Sequence, residues 1–404
     1  MDYRSIKSIT EKAIENNNGI LYLQPAWVAR ASLPPGRRLG LREEDYNVGE
    51  RGFICARWLG SETKADNAIG PIDEGLSYLD VPGHDILLRD AIGTCAETIM
   101  GNRYAATHKD LGRLAKLFDF GCRLYYHVHQ TEKDAKKVGR KPKEESYFFL
   151  EDVELGPHPE TFFGVHPYIV EQDLQIRTLL PYLEDWNSDL ILKHARAYLN
   201  VPGEGFHLPA GGLHAPGSTL TLEIQEPSDV QAVLQAKLEG RLLPKEALFK
   251  DVSKEDRERY GEKAVLNQVD WTLCGDPYFY ENRHIEPITV EETKQESGCE
   301  LWISYNTKKF SAKKLTVKAM GSFTSRDDGI YTAFIWKGKG RIDGHEIAGK
   351  TFGIDEVLVC HAKATESIVI ENTGSTDLVM FKIFGPDINV CVPTLKAYSP
   401  RHRE

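Results

Sequence analysis

Residues 121 to 150 read Gly121-Cys-Arg-Leu-Tyr-Tyr-His127-Val-His129-Gln-Thr-Glu-Lys-Asp-Ala-Lys-Lys-Val-Gly-Arg-Lys-Pro-Lys143-Glu-Glu145-Ser-Tyr-Phe-Phe-Leu150. His127 and His129 lie two apart in a β-favouring run, and strand side chains alternate between faces, so both imidazoles point to one side. Glu145 opens a second expected strand, from which a carboxylate reaches the same place. A fourth donor follows in Gly203-Glu-Gly-Phe-His-Leu-Pro209-Ala-Gly211-Gly-Leu-His214, where Pro and Gly impose a tight turn and deliver a histidine just beyond it. A lone His-x-His on a strand is more often structural than ligating. Joined to the later Glu and the Pro-x-Gly-x-x-His phrase, it reads as a metal site.

The two segments resemble the paired signature of the cupin superfamily: a Gly, then His-x-His and a later Glu; then a Gly, Pro-x-Gly-x-x-His. Cupins are double-stranded β-helix barrels of the jelly-roll kind, so the resemblance implies that His127, His129, Glu145 and His214 converge inside one barrel. Two departures stand out: Glu145 comes late, implying a longer loop between the strands, and Ser218 occupies the place of the usual closing Asn.

Further phrases are similar to class I mannose-6-phosphate isomerases. Leu21-Tyr-Leu-Gln-Pro25 resembles their opening strand, and Lys116-Leu-Phe-Asp119 matches their Lys-x-x-Asp. His127-Val-His129-Gln130 stands where they carry Gln-x-His-Pro, Lys143-Glu-Glu145 where they carry Lys-x-Glu, and Leu222-Glu-Ile-Gln-Glu-Pro-Ser-Asp229 ends in their Ser-Asp. The resemblance runs from the first strand to Asp229 and implies catalytic roles for Lys143 and Asp229. It also exposes a departure: four residues after Asp229 that family has an arginine serving the sugar phosphate, and this chain has Val233. Arg241, Arg283 and Arg326 are the candidate substrate-binding cations in its stead.

The chain has 404 residues, enough for two domains or three. Apolar residues at 41% and charged residues at 27% suit a globular protein, and a net charge of -10 gives no general attraction to nucleic acid or anionic lipid. No run of roughly 18 apolar residues occurs, and Met1-Asp-Tyr-Arg-Ser-Ile-Lys7 lacks a signal peptide's apolar core, so a cytoplasmic protein without membrane partners is expected. The seven cysteines are scattered and form no C-x-x-C pair, so neither a thiolate zinc site nor a disulfide framework is indicated.

The expected fold is mainly β with helical additions: two cupin barrels plus a helical insertion. Residues 4 to 17 have helical spacing ended by Asn-Asn-Gly, and Asp85 to Met100 also looks helical. Gln231 to Glu239 and Ser253 to Tyr260 carry charged, helix-like periodicity. From Leu301 to Asn372 short alternating runs separated by Gly and Asp turns predict strands. The expected domains are a metal-binding cupin domain over 1–229, a helical insertion and linker over 230–285, and a degenerate cupin domain over 286–404. The last has no His-x-His on Tyr331 to Trp336, so one divalent metal per chain is expected, zinc first, with manganese, iron or nickel as alternatives. The function implied by the resemblance is a metal-dependent aldose–ketose isomerase acting on a hexose or hexose phosphate. A non-catalytic sugar-binding or regulatory bicupin and a cupin oxygenase are the alternatives, and a homodimer is compatible with each.

Overall fold

A computed structural model describes residues 1–31 and 33–399. The chain divides into two compact units, one comprising Met1–Val28, Ala56–Leu117 and Glu286–Thr394, the other Ala29–Cys55, Phe118–Ile285 and Leu395–Glu404. The expected boundary at 285 coincides with the switch between the units at Ile285 and Glu286, but none falls at 229, and Met1–Val28 and Ala56–Leu117 group with the carboxyl-terminal segment. The physical reason is strand pairing. Ile20–Gln24 pairs antiparallel with Glu356–Val359 on one side and with Tyr78–Val81 on the other, which fastens the amino-terminal segments to a sheet built largely from the last third of the chain.

In this first unit a nine-stranded sheet runs in the order Ile288–Thr289, Gly298–Ser304, Ser311–Val317, Leu378–Phe384, Tyr331–Lys337, Glu356–Val359, Ile20–Gln24, Tyr78–Val81, His84–Leu87. A second sheet orders Ser322–Ser325, Ile368–Asn372, Lys339–Ile342 and His345–Ala348. Alternating apolar residues such as Leu315, Val317, Phe323, Ile335, Ile370 and Met380 fill the core. Helix Tyr3–Asn16 starts where Asp2 accepts a hydrogen bond from the Ser5 amide at 2.9 Å, and it packs its isoleucines on the same core beside helix Leu88–Met100. Asp85 to Leu87, expected as helix, forms instead the second arm of a hairpin, because Pro82 and Gly83 (φ +76°) turn the chain directly before it.

The unit also buries charge. Lys382, fully buried, donates to Glu300, Ser325 and Asp327, and Lys313 lies 2.8 Å from Asp327 and 3.4 Å from Glu300. Lys313 and Lys382 are direct cross-strand partners, so two ammonium groups share one interior row and the two carboxylates bridge them. A second cluster sets Arg57 between Asp355, at 2.6 and 2.8 Å, and Glu356, at 2.8 Å. One guanidinium serves two acids, and Asp355 takes the bidentate contact. Burial pushes the Glu356 carboxyl up to about 7 against the pull of Arg57. Because the folded value lies above the unfolded one, stability is expected to fall as pH rises from roughly 4.3 to 7, by on the order of 3 kcal/mol, and to level off above. Denaturant melts from pH 4 to 8 should show that slope in the native chain and lose it in Glu356→Gln; an unchanged slope in the variant would assign it elsewhere.

In the second unit a five-stranded sheet runs Arg196–Leu199, Glu160–Phe163, Leu213–Ala215, His127–Val128, Ala232–Val233. A further stretch of sheet orders His284–Ile285, Gly205–Leu208, Glu145–Phe149 and Thr221–Gln225. Gly205 is required here, since a Cβ would stand 1.8 Å from the Tyr147 carbonyl oxygen. The expected helix over Gln231 to Glu239 is absent: Ala232–Val233 and Lys237–Leu238 are short strands, and Ala232 and Val233 are drawn into pairing with Val128 and His127. Helices do follow at Lys254–Tyr260, capped by Ser253, and at Lys263–Leu266, Trp271–Cys274 and Phe279–Arg283. Among the described residues no helix is long and apolar enough to cross a membrane.

Candidate metal centre

One rung of the five-stranded sheet pairs Phe163 with His214, His214 with His127, and His127 with Val233. Directly paired residues share a face, so two imidazoles and an isopropyl group stand side by side. His129 shares that face by alternation. In the other sheet Glu145 pairs with Leu208 and Gln225, and Tyr147 with Phe206 and Glu223, which places Glu145, Tyr147 and Glu223 on one face. The two sets meet: Glu145 Oε1 lies 2.8 Å from His214 Nε2, and Oε2 lies 3.2 Å from His129 Nε2.

The backbone fixes the imidazole tautomers. His127 Nδ1 donates to the Tyr125 carbonyl at 2.8 Å, His129 Nδ1 to Val230 at 2.7 Å, and His214 Nδ1 to Gly212 at 3.0 Å. Each Nε2 therefore offers a lone pair inward. Burial and neighbouring charge keep two of the rings neutral: burial and His214 hold His127 well below its ordinary value, and burial with Lys143 brings His129 down to about 3. Burial works against the Glu145 carboxylate, but the Lys143 ammonium beside it outweighs burial and holds its pKa below the ordinary value.

The Nε2 atoms of His127 and His129 face each other at 3.3 Å, and among the described residues the three histidines form a group whose ligand atoms lie within 4.8 Å of one another. His214 Nε2 is buried without a hydrogen bond, and Glu145 Oε2 is met by the Lys143 ammonium at 3.0 Å. Lone pairs aimed at one another repel unless a cation stands between them. Bonds of about 2.1 Å to a divalent ion would set its donors about 3.0 to 3.4 Å apart; the His127–His129 and His129–Glu145 separations of 3.3 and 3.2 Å fall in that range, and the Glu145–His214 separation of 2.8 Å is slightly shorter. The donor set suits such a cation.

Lys143 precedes the strand yet reaches the cluster. Its Nζ lies 2.9 Å from His129 Nε2, 3.0 Å from Glu145 Oε2 and 3.2 Å from Glu223 Oε1. Burial disfavours the ammonium, but Glu145, Glu223 and Asp229 together hold its pKa above the ordinary lysine value. Asp229 caps no helix; Arg30 approaches it at 3.4 Å. The three candidate cations have other described surroundings. Arg241 is exposed on the hairpin Lys237–Leu238/Arg241–Leu242. Arg283 is half-buried among the charges of Asp276, Glu144 and Asp270, and Glu144 belongs to the strand face that carries His207 rather than Glu145. Arg326 lies in the other unit, exposed, with Nε donating to the Thr365 carbonyl at 2.9 Å. His207 pairs with Glu144 at 2.9 Å, His158 lies 3.7 Å from Glu160, and His166 stacks on Tyr168.

Sequence reasoning missed Tyr147, Glu223 and Arg30. Tyr147 was within reach, two residues after Glu145 on the same strand. Glu223 carried only the weaker signal of a charged residue in an apolar strand. Arg30 had none, being 199 residues from the aspartate it meets.

The chain is mainly β, and three imidazoles and one carboxylate converge from two sheets in an arrangement that could hold a metal ion. More particularly, its fold is that of the mannose-6-phosphate isomerases. It is similar to the mannose 6-phosphate isomerase of Bacillus subtilis (TM-score 0.60, 15% identity, 90% of this chain and 99% of that one). It is also similar to a lysine-to-alanine mutant of phosphomannose isomerase from Salmonella typhimurium (TM-score 0.61, 13% identity, 91% and 100%). A zinc-bound mannose 6-phosphate isomerase gives TM-score 0.59 at 14% identity over 91% and 100%. No family model and no curated protein sequence matches the chain. At this level of identity the fold is what is shared.

Proposed function

We propose that this protein is a metal-dependent aldose–ketose isomerase acting on a hexose or hexose phosphate, with one divalent ion, zinc first, held by His127, His129, Glu145 and His214. The observation that carries the reading is the convergence of three Nε2 lone pairs and a carboxylate beside a buried ammonium, within the fold of the mannose-6-phosphate isomerases. The bound ion supplies polarisation of a sugar oxygen on which negative charge develops. Lys143, buried beside Glu145 and Glu223, would position the sugar and add positive charge at the same place. Asp229, oriented by Arg30, is the carboxylate that would move the proton between adjacent carbons.

Val233, buried and paired across from His127, favours a second reading, a metal-containing sugar-binding module without turnover. The test is a metal-replete screen of aldose and ketose phosphates beside their free sugars, followed by NMR in deuterated water. Interconversion with solvent deuterium at the carbon next to the carbonyl supports the isomerase. Binding without turnover supports the module, and oxygen uptake with an organic substrate would replace both with an oxygenase. Losing a charge-assisted contact costs about 1.5 to 3 kcal/mol, so mannose 6-phosphate is expected to gain little over the free sugar. Inorganic phosphate titrated against free-sugar turnover should inhibit weakly; tight competition would show that another cation serves a phosphate.

A further inference from the structure

We propose that Tyr147 is the positioning residue of the centre, its phenol fixing the Glu145 carboxylate in the orientation that meets a metal; this rests on the metal-centre reading above. Tyr147 stands two residues after Glu145 on one strand, so both side chains leave the same face. Its hydroxyl donates to Glu145 Oε1, and the ring is almost wholly buried. The ring cannot drift: it meets Phe118 edge-on, with centroids 5.8 Å apart and planes at 86°, and lies 6.4 Å from the His214 ring. Its cross-strand neighbours on either side are Glu223 and Phe206.

The two oxygens of Glu145 are held differently. Lys143 approaches Oε2 at 3.0 Å, whereas the Tyr147 phenol donates to Oε1, the oxygen 2.8 Å from His214 Nε2. Without the phenol, one end of the carboxylate has no hydrogen-bond donor fixing it, and its terminal torsion is soft. A partner that orients a ligating carboxylate typically changes metal affinity by roughly 10- to 100-fold.

The experiment is zinc affinity by chelator competition, together with the visible spectrum of the cobalt-loaded protein and melting of the metal-free protein. Tyr147→Phe keeps the ring and removes the donor. It should bind zinc roughly 10- to 100-fold more weakly, alter the cobalt band and lower metal-free melting no more than Tyr126→Phe, which also loses one buried phenol hydrogen bond. Tyr147→Gln, which restores a donor, should recover part of the affinity. Tyr126→Phe is the control, because that buried phenol donates instead to the Gly164 carbonyl at 2.6 Å; its affinity should match the native value. Native affinity and spectrum in Tyr147→Phe would overturn the proposal, as would an equal loss in Tyr126→Phe. A native chain that binds no zinc would overturn the metal-centre reading itself.

Discussion

His214→Ala is expected to fold, to lose stoichiometric zinc, and to lose the proposed turnover by on the order of a thousandfold or more. His214 is fully buried in the middle of the five-stranded sheet, its ring centroid 4.0 Å from that of His127 and 5.0 Å from that of His129. Its Nε2 lies 2.8 Å from Glu145 Oε1, nearer the carboxylate than that of His129 at 3.2 Å. Removing it leaves two imidazoles and a carboxylate already engaged by Lys143. His207→Ala is the matching control, since that imidazole is also buried but pairs with Glu144 on the opposite strand face. Elemental analysis after chelator treatment and zinc reconstitution gives the answer. Native zinc content in folded His214→Ala, or loss in His207→Ala alone, would show the ligand set to be wrong.

Lys382→Met is expected to destabilise the chain by about 3 to 5 kcal/mol, the usual cost of breaking one partner out of a buried ion pair. With Lys382 gone, Glu300 and Asp327 share the single ammonium of Lys313, leaving one uncompensated negative charge in the core. The pH dependence carries the diagnosis. Burial disfavours ionised Asp327, yet Lys382 and Lys313 hold its pKa below the ordinary value, so its contribution is present above the unfolded pKa and fades in acid. Burial likewise opposes the Lys382 ammonium, but Asp327 and Glu300 raise its pKa, so its contribution persists up to roughly pH 10 and fades beyond. The native quartet is therefore at full strength between roughly pH 4 and pH 10. In Lys382→Met the deficit should be largest at pH 7 and shrink towards pH 4, where one carboxylate takes up a proton. Equal melting of variant and native chain at pH 7 would show that the quartet contributes nothing net.

Much of the centre is legible in the order of residues alone. Alternation along a strand puts His127 beside His129. The Pro209-x-Gly211 turn, where Gly211 takes φ +88°, places His214, and the start of an aromatic strand places Glu145. These inferences hold because strand geometry and turn conformation are local, dictated by neighbours in sequence. The same logic marks Tyr147 in retrospect.

What the tertiary structure alone decided concerns partners distant in the chain. Gln231 to Glu239 has helix-like spacing, but pairing of Ala232 and Val233 with Val128 and His127 draws its first residues into a strand. Ile20–Gln24 reads as a strand from its own residues, whereas its partner, Glu356–Val359, lies more than three hundred residues away. A lysine in a strand reads as a solvated edge, and only the meeting of Lys313 and Lys382 with Glu300 and Asp327 turns two of them into an interior ion quartet. The sequence by itself determined which residues share a strand face and where the chain turns, because those depend on torsions within a few residues. Which faces meet, and which charges are neutralised when they do, depends on burial and on the low dielectric of the interior, and those exist only once the chain has folded.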